Sequence, residues 1–286
     1  MKINRISPQD NNFLQIIAPV ANAPKRLYFQ GKLPEDRPPT VAIVGTRRPT
    51  PYGKDITYTI ASELARSGVV IVSGLALGVD AIVHQAALDV KGKTIAVLAN
   101  GLDSVYPASN RGLAKKILES GGALISEYEP HVKARDYQFL ERNRIVSGIS
   151  DAVLVTEAAE RSGTLATAAH AAQQGREMFV TPGNITSPMS IGCNNLIKHG
   201  ANTITRAQDI LDVIAPNQKS DQLLLPLGDT PEEQIIIDIL ASGISDGDII
   251  QQKSKLDAST FAIALTTLEI NSTIRALGAN HWTLKR

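Results

Sequence analysis

Two arginines and a hydroxyl-rich turn flank one short apolar segment in the middle of the chain. Arg142 and Arg144 come before residues 152–155, a valine-rich run typical of a strand buried on both faces. Ser162, Gly163 and Thr164 follow that strand and begin an alanine-rich helix. Such residues cap a helix and leave amide groups free, and free amides at a helix start bind anions such as phosphate. The pattern indicates an anion site, with a plain helix cap and two solvated arginines as the alternative.

The surrounding residues predict the sheet that positions these groups. Apolar runs of strand length alternate with segments of helix length from Thr40 to about Val213. This alternation is typical of an α/β fold with a parallel sheet and helices on both faces. The predicted strands are residues 40–44, 69–72, 94–98, 123–125, 152–155 and one within 176–183; the predicted helices are about 52–67, 79–89, 110–120, one before residue 151 and one from residue 162.

Glycines and arginines collect at one edge of the predicted sheet. Ligands of open parallel sheets bind in the crevice outside the carboxyl ends of the strands. Five glycines just beyond strand ends predict a floor where the backbone approaches a ligand closely. These glycines are Gly45, Gly74, Gly101, Gly163 and Gly183. The arginines near the same edge are Arg47, Arg48, Arg142, Arg144 and Arg161, with Arg111 as a further candidate.

Four aromatic residues fall between the glycine turns and the arginines. They are Tyr106, Tyr128, Tyr137 and Phe139. Rings in such positions usually fill a core. Beside a basic rim they are candidate stacking platforms for unpaired bases, whose faces duplex DNA does not offer in this way.

Composition excludes several functions. The chain has 286 residues and a net charge of +1, which does not by itself indicate nucleic acid. Its lone cysteine, Cys193, suits packing in a reducing cytoplasm, and no apolar run is long enough to cross a membrane.

The sequence lacks the common cofactor, metal and catalytic motifs, namely P-loop and dinucleotide spacings, metal-ligand histidine spacing and a Ser-His-Asp set. We therefore expect no cofactor and no metal. Asp80, Glu127 and Glu157 are candidate acids or bases, although we favour a role in holding arginines.

The chain divides into four predicted parts. Residues 1–39 are a proline-punctuated, irregular N-terminal extension, in which residues 27–29 are a candidate edge strand. Residues 40–215 form the α/β domain, and the polar residues 216–229 form a linker. Residues 230–286 predict three helices and a terminal hairpin, a winged-helix-like pattern.

The C-terminal part has the wrong charge for a phosphate-binding module. From Pro216 onward, 6 basic residues stand against 9 acidic ones, a net charge of −3, which leaves +4 for residues 1–215. The expected reading helix, residues 257–269, contains no Lys or Arg. We therefore expect an interaction or regulatory unit rather than a DNA-binding one.

Taken together, the motifs resemble the DNA-processing protein A family (DprA, also called Smf). The resemblance covers about Leu27 to Val213, and its motifs are specific as a set. The matching stretches are residues 41–47, 73–80, 92–98, 101–103, 106–107, 126–128, Phe139 with 142–144, 162–164, 182–183, 192–197 and 200–201.

The resemblance implies an extended Rossmann-like domain that binds single-stranded DNA, protects incoming DNA and loads the recombinase RecA in natural transformation. It also implies a homodimer formed through that domain, and a winged-helix-like C-terminal domain. Arg47 is expected to contact phosphate. The expected DNA-binding residues are Gly45, Thr46, Arg47, Ser73, Gly74, Phe139, Arg142, Asn143, Arg144, Ser162, Gly163 and Thr164.

The chain departs from the family pattern at three positions. Leu77 stands where the family usually has a basic residue, and Leu140 and Glu141 replace a usual proline and basic residue. These changes make the predicted rim less positive.

An enzyme is the main alternative. Phosphoribohydrolases that cleave nucleoside monophosphates use a related Rossmann-like fold. They carry a Pro-Gly-Gly-x-Gly-Thr run before a catalytic glutamate, and residues 182–186 interrupt such a run. A nucleotide-sensing scaffold without a DNA role is a third possibility. We therefore favour a binding protein over an enzyme.

Overall fold

A computed structural model describes residues 2–216, 228–271, 273–278 and 280–284. The chain divides into two compact units, Met1–Gln218 and Lys219–Arg286. Most of the predicted linker, residues 217–227, lies outside the described residues. Each unit is described by itself below.

The first unit is built on a nine-stranded sheet in the order β1-β2-β6-β5-β4-β3-β7-β8-β9. Strands β3 to β9 pair in parallel, whereas β1 and β2 add antiparallel pairs at one edge. The predicted parallel α/β sheet is therefore confirmed. The strands are β1 (Asn4–Ile6), β2 (Leu27–Gly31), β3 (Thr40–Val44), β4 (Val70–Ser73), β5 (Thr94–Leu98), β6 (Ala123–Ser126), β7 (Ala152–Val155), β8 (Glu177–Val180) and β9 (Asn202–Thr203).

Helices connect the parallel strands and cover the sheet. α1 begins with Pro51 at its first position, and the Thr50 side chain caps it by accepting from Gly53 N at 3.1 Å. The helices of this unit are α1 (Pro51–Arg66), α2 (Val79–Asp89), α3 (Arg111–Glu119), α4 (Asp136–Gly148), α5 (Thr164–Gln173), α6 (Ile191–Lys198) and α7 (Gln208–Ile214).

The central strand β3 is buried on both faces, as its apolar run predicts. Val41 and Ile43 pack in one core cluster with Leu64 of α1, whereas Ala42 and Val44 pack in the opposite cluster with Ile145 of α4. Alternate side chains of a strand point to opposite faces, so one five-residue strand supports both layers.

The first 39 residues are more ordered than the prediction of an irregular extension. β2 confirms the candidate edge strand, β1 extends the sheet beyond it, and Phe13, Leu14 and Ile17 are fully buried or nearly so. Arg37 links the segment to the start of β7, because its guanidinium pairs with Asp151 at 2.7 Å and donates to Phe13 O at 2.9 Å. The segment is therefore part of the first unit.

The second unit contains three helices followed by an antiparallel ribbon, the order of elements that the sequence predicts. Ile236, Phe261 and Leu268 belong to its core. The winged-helix interpretation remains a prediction. The elements are α8 (Pro231–Ala241), α9 (Gly247–Ser254), α10 (Ala258–Ile270), β10 (Ile274–Gly278) and β11 (His281–Leu284).

None of the helices in the described ranges combines the length and apolar character that a bilayer crossing requires.

Candidate nucleic-acid interface

A cleft of about 540 Å³ opens at the carboxyl ends of the central strands. β3 lies between β4 and β7 in the sheet, so the chain turns to opposite sides of β3 at this point. Such a switch in strand order opens a crevice in which parallel sheets bind ligands. The cleft is lined by Val44, Gly45, Thr46, Arg47, Ala76, Asp80, Tyr106, Asp136, Phe139, Leu140, Arg142, Asn143, Ala159, Arg161, Ser162, Gly163, Thr164 and Thr167.

The turn that follows β3 is held from three sides. Thr46 N donates to Glu157 O at 2.8 Å, and Thr46 O accepts from Val79 N at 3.1 Å. Thr164 Oγ1 donates to Gly45 O at 2.9 Å. These bonds fix the backbone of the turn and leave the next side chain, that of Arg47, to project from it.

Gly78 allows this close packing. Its φ is +77°, and a Cβ at this position would overlap Thr46 O and the Arg47 backbone. A larger residue would therefore displace the turn that carries Arg47.

The Arg47 side chain is exposed and stacks on an aromatic ring. Its Cζ lies 5.4 Å from the centroid of the Phe139 ring. Phe139 in turn contacts Tyr106, with ring centroids 5.5 Å apart and planes inclined by 54°. Within residues 2–216, no carboxylate forms an ion pair with Arg47. The guanidinium is therefore available to a phosphate.

Glu127 and Glu157, two of the candidate acids or bases, have partners other than Arg47. Glu127 pairs with Arg144 at 2.5 Å, which confirms the expectation that it holds an arginine. Glu157 is buried beside a second cleft of about 530 Å³ and accepts from Thr50 N at 2.8 Å and from Thr50 Oγ1 at 2.7 Å. Glu157 thus stabilises the start of α1, and within residues 2–216 it forms no ion pair with an arginine.

Arg142 lies under the cleft instead of projecting from its rim. The side chain is 5% exposed, and its guanidinium donates to Gly74 O and Val97 O. Burial lowers the pKa of Arg142, and the nearby Asp80 charge acts in the opposite direction. The prediction that Arg142 projects at the edge is wrong, because the chain itself uses its guanidinium to bridge two strand ends.

Asp80 completes this buried group. Its Oδ2 accepts from Gly74 N at 3.1 Å and from Ala76 N at 3.3 Å. Burial raises the pKa of Asp80, whereas the Arg142 charge and these bonds lower it. Asp80 therefore holds the loop after β4 and balances the arginine beneath the cleft.

Ser73, Gly74 and Arg144, three of the predicted binding residues, do not line the cleft. Ser73 is fully buried and donates from Oγ to Ile43 O at 2.7 Å. Arg144 is held by Glu127. The other nine predicted residues are brought together at the cleft.

The first amides of α5 form hydrogen bonds within the turn that begins the helix. Thr164 N donates to Ser162 Oγ at 3.2 Å, Leu165 N to Ser162 O at 3.0 Å and Ala166 N to Gly163 O at 3.2 Å. These amides are therefore engaged within the turn, and the capping alternative fits them better than an open anion site.

The strand-end glycines have internal packing roles. A Cβ at Gly45 would overlap Val79, one at Gly74 would overlap Arg142, and one at Gly183 would overlap Ser190. A Cβ at Gly101 would overlap the backbone of residues 129–130, and of the five glycines only Gly163 faces open space. The prediction that all five form a ligand floor is wrong, since only Gly45 and Gly163 of the five line the cleft.

One face of α4 supplies lining residues that were not predicted. Asp136 and Leu140 line the cleft with Phe139 and Asn143. Their spacing of three, four and seven residues places them on one side of a helix. The sequence shows this spacing when the helix predicted before residue 151 is taken to begin at Asp136. Of the four candidate stacking rings, Tyr106 and Phe139 line the cleft.

Comparison with known proteins identifies the family. The model of the DNA recombination-mediator protein A family matches residues 4–215. Protein Smf of Escherichia coli is 44% identical over 211 residues, which are 73% of this chain and 56% of that protein. DNA processing protein DprA of Bacillus subtilis is 44% identical over 172 residues, 60% of this chain and 58% of that protein. The chain thus spans little more than half the length of these curated relatives.

Two solved structures resemble the fold of this chain. DNA processing protein A of Streptococcus pneumoniae is 36% identical, with a TM-score of 0.68 over 75% of each chain. The protein of the same name from Helicobacter pylori, whose structure is described as revealing a single-stranded DNA binding mode, is 35% identical, with a TM-score of 0.68 over 77% of this chain and 98% of that one. The family match, these relatives and the Rossmann-like sheet together show that the chain belongs to the DNA recombination-mediator protein A (DprA/Smf) family.

Proposed function

We propose that this chain binds single-stranded DNA at the cleft beside β3. One observation carries the proposal: the exposed Arg47 guanidinium stacks on Phe139 at the mouth of a switch-point cleft. A guanidinium offers paired donors to a phosphate, and exposed rings offer faces to unpaired bases. The binding mode described for the Helicobacter pylori relative supports the same ligand.

The wider role follows from the family. We propose that the protein acts in the cytoplasm, protects incoming DNA in natural transformation and recombination, and loads RecA onto it. Pairing of two copies through the Rossmann-like domain and contact with RecA are part of this proposal. Membership of the family and the DprA relatives support it.

We propose binding without catalysis. Asp80, Glu127 and Glu157 each hold backbone or side-chain groups of the protein. A catalytic acid or base must reach the proton that it transfers. Incubation with nucleoside monophosphates should therefore release no free base, measured by chromatography, and base release lost on Glu157→Gln would instead support a phosphoribohydrolase.

Titration with labelled oligonucleotides tests the binding proposal. Single strands should bind more tightly than duplex of the same sequence, with little preference among sequences. The affinity should fall as salt is raised from a low to a physiological concentration. Equal affinity for duplex and single strand would contradict the proposal.

A further inference from the structure

Five exposed lysines lie at the amino ends of the parallel strands, on the edge of the sheet opposite the cleft. Lys91 and Lys93 stand in the loop before β5, and Lys32 follows β2, whose end pairs with the start of β6. Within residues 2–216, none of the five forms an ion pair. We call this set the amino-edge patch: Lys2, Lys32, Lys91, Lys93 and Lys116.

Packing at Gly122 brings three segments of this edge together. Lys32 N donates to Gly122 O at 3.0 Å. Gly122 N donates at 2.9 Å to Ile117 O, in the last turn of α3, which also carries Lys116. A Cβ at Gly122 would overlap the Thr94 carbonyl at the start of β5. The loops that carry the lysines are therefore fixed against one another.

The amino-edge patch is as wide as four strands. Asn4 pairs with Phe29, so the antiparallel register of β1 and β2, continued by two residues, sets Lys2 opposite Gly31. The patch thus crosses β1, β2, β6 and β5, which are neighbours in the sheet, a width of about 14 Å at the usual strand spacing. One strand of a duplex carries a phosphate about every 3.4 Å, so this width faces about four phosphates.

The amino-edge patch accounts for the positive charge of the first 215 residues. That part of the chain has a net charge of +4, so it would carry −1 without the five lysines. Glu35 and Asp36 are exposed acids on the segment that leads from β2 to β3, and the lysines outnumber them. The edge is therefore a positively charged surface.

Other charged groups near this edge are balanced. Lys115 pairs with Glu119 at 3.6 Å. Asp89 accepts from the Tyr58 hydroxyl at 3.0 Å. Burial raises the pKa of Tyr58, and the Asp89 and Arg66 charges act on it in opposite directions. Arg66 and Asp89 thus offset each other, and Arg66 adds no net charge to the patch.

The residue types of the patch fit a phosphate backbone better than a protein partner. Residues 31–33, 91–93 and 116–122 contain no aromatic residue, and within them no large apolar side chain is exposed. Protein interfaces are depleted in lysine and have apolar and aromatic centres. Lysine binds phosphate as a point charge, and without a ring the surface offers no stacking face to a base.

We propose that the amino-edge patch is a second nucleic-acid contact, which holds the phosphate backbone of duplex or single-stranded DNA without reading its bases. The proposal goes beyond the proposed function, because it places another part of the ligand on another edge of the sheet. Binding at the patch requires no unpaired base, so a duplex segment can bind there while a single strand occupies the cleft.

Titration of the full chain with a labelled duplex tests the proposal. Lys91→Gln/Lys93→Gln should weaken duplex binding about tenfold at low salt, and the log–log salt slope should become less steep by about 1.8, for two lost phosphate contacts. Lys25→Gln/Lys198→Gln removes two exposed lysines outside the patch and should change neither quantity. Circular dichroism and thermal melting establish that both variants are folded.

Arg47→Ala separates the patch from the cleft, since it should lower single-strand affinity and leave duplex affinity unchanged. Equal effects of the Lys91/Lys93 variant and its control, or duplex binding lost only in Arg47→Ala, would overturn the patch and leave the cleft standing. Normal single-strand binding by Arg47→Ala would count against the cleft alone. Absence of duplex binding by the unmodified protein would overturn the patch, and binding of polyglutamate in its place would assign the surface to an acidic protein.

Discussion

The guanidinium carbon of Arg47 lies over the Phe139 ring, 5.4 Å from its centroid, and within residues 2–216 it pairs with no carboxylate. An exposed contact of this kind contributes about 0.5–1 kcal/mol to stability. Arg47 is therefore held in place without being needed by the fold. Arg142, in contrast, is buried beneath the same cleft and donates to the backbone at Gly74 O and Val97 O.

Arg47→Ala should lower single-strand affinity at least tenfold, about 1.4 kcal/mol, while the melting temperature changes little. The loss follows because the variant lacks the paired donors for a phosphate. Arg47→Lys should restore only part of the affinity, since an ammonium cannot copy the guanidinium fork. Fluorescence anisotropy and thermal melting check both results.

The control for this experiment is Arg66→Ala. Arg66 is the last residue of α1, the helix that begins beside the cleft, and therefore lies at the end of the helix away from the cleft. It removes the same charge and should keep the affinity of the unmodified protein. An Arg47→Ala protein that melts much lower, with normal binding by its folded fraction, would assign Arg47 to structure.

Arg142→Met should lower the free energy of unfolding by about 3 kcal/mol or more, measured by urea denaturation. The change leaves Gly74 O and Val97 O without their donor and removes the charge near buried Asp80. Arg47→Ala is the matched control, because it removes an arginine from the same cleft with little expected change in stability. Unchanged stability with lost DNA binding would show Arg142 to be a direct ligand.

His84 should make stability depend on pH. Its Nδ1 lies 2.7 Å from Thr94 Oγ1, which itself donates to Ile71 O, so Nδ1 carries the proton of the neutral ring. Nε2 is buried without a partner, and burial together with the Arg142 charge lowers the pKa of His84 to about 3. The unfolded chain binds a proton near pH 6.5 that the folded chain does not.

The free energy of unfolding should therefore fall as pH drops from about 6.5 toward 3. His84 alone should account for a loss of roughly 2 kcal/mol between pH 6.5 and 5. Urea unfolding across that range checks the result. His84→Leu should remove this part of the pH dependence, whereas His199→Leu, at an exposed site, should retain it. Identical profiles for all three proteins would contradict the assignment.

Removal of residues 219–286 should leave single-strand affinity within roughly threefold, less than 1 kcal/mol. α10 carries no Lys or Arg, and the part of the chain from Pro216 onward has a net charge of −3. Circular dichroism would establish that the remaining unit is folded. A loss of tenfold or more in a folded protein would show that the second unit contacts DNA.

Local patterns were sufficient to predict most of the first unit. Thr40–Val44, Thr94–Leu98, Ala152–Val155 and Val79–Asp89 have the bounds that the sequence predicts. Each is a continuous apolar run or helical segment that needs no distant partner to be recognised. β1 was missed because three residues form a strand only through pairing, here of Asn4 with Phe29.

The position of the candidate site was also predictable, because parallel strands all end at one edge and the residues after them must meet there. The sequence alone therefore brings Gly45, Arg47 and Gly163 to the same crevice. It does not separate Arg47 from Arg142, which are the same residue type near the same edge. The tertiary structure separates them: Arg142 meets Gly74 O and Val97 O, 68 and 45 positions earlier in the chain, whereas Arg47 meets solvent and the Phe139 ring. Burial and the choice of partner depend on contacts between distant segments, and these determine which arginine supports the fold and which is free to bind.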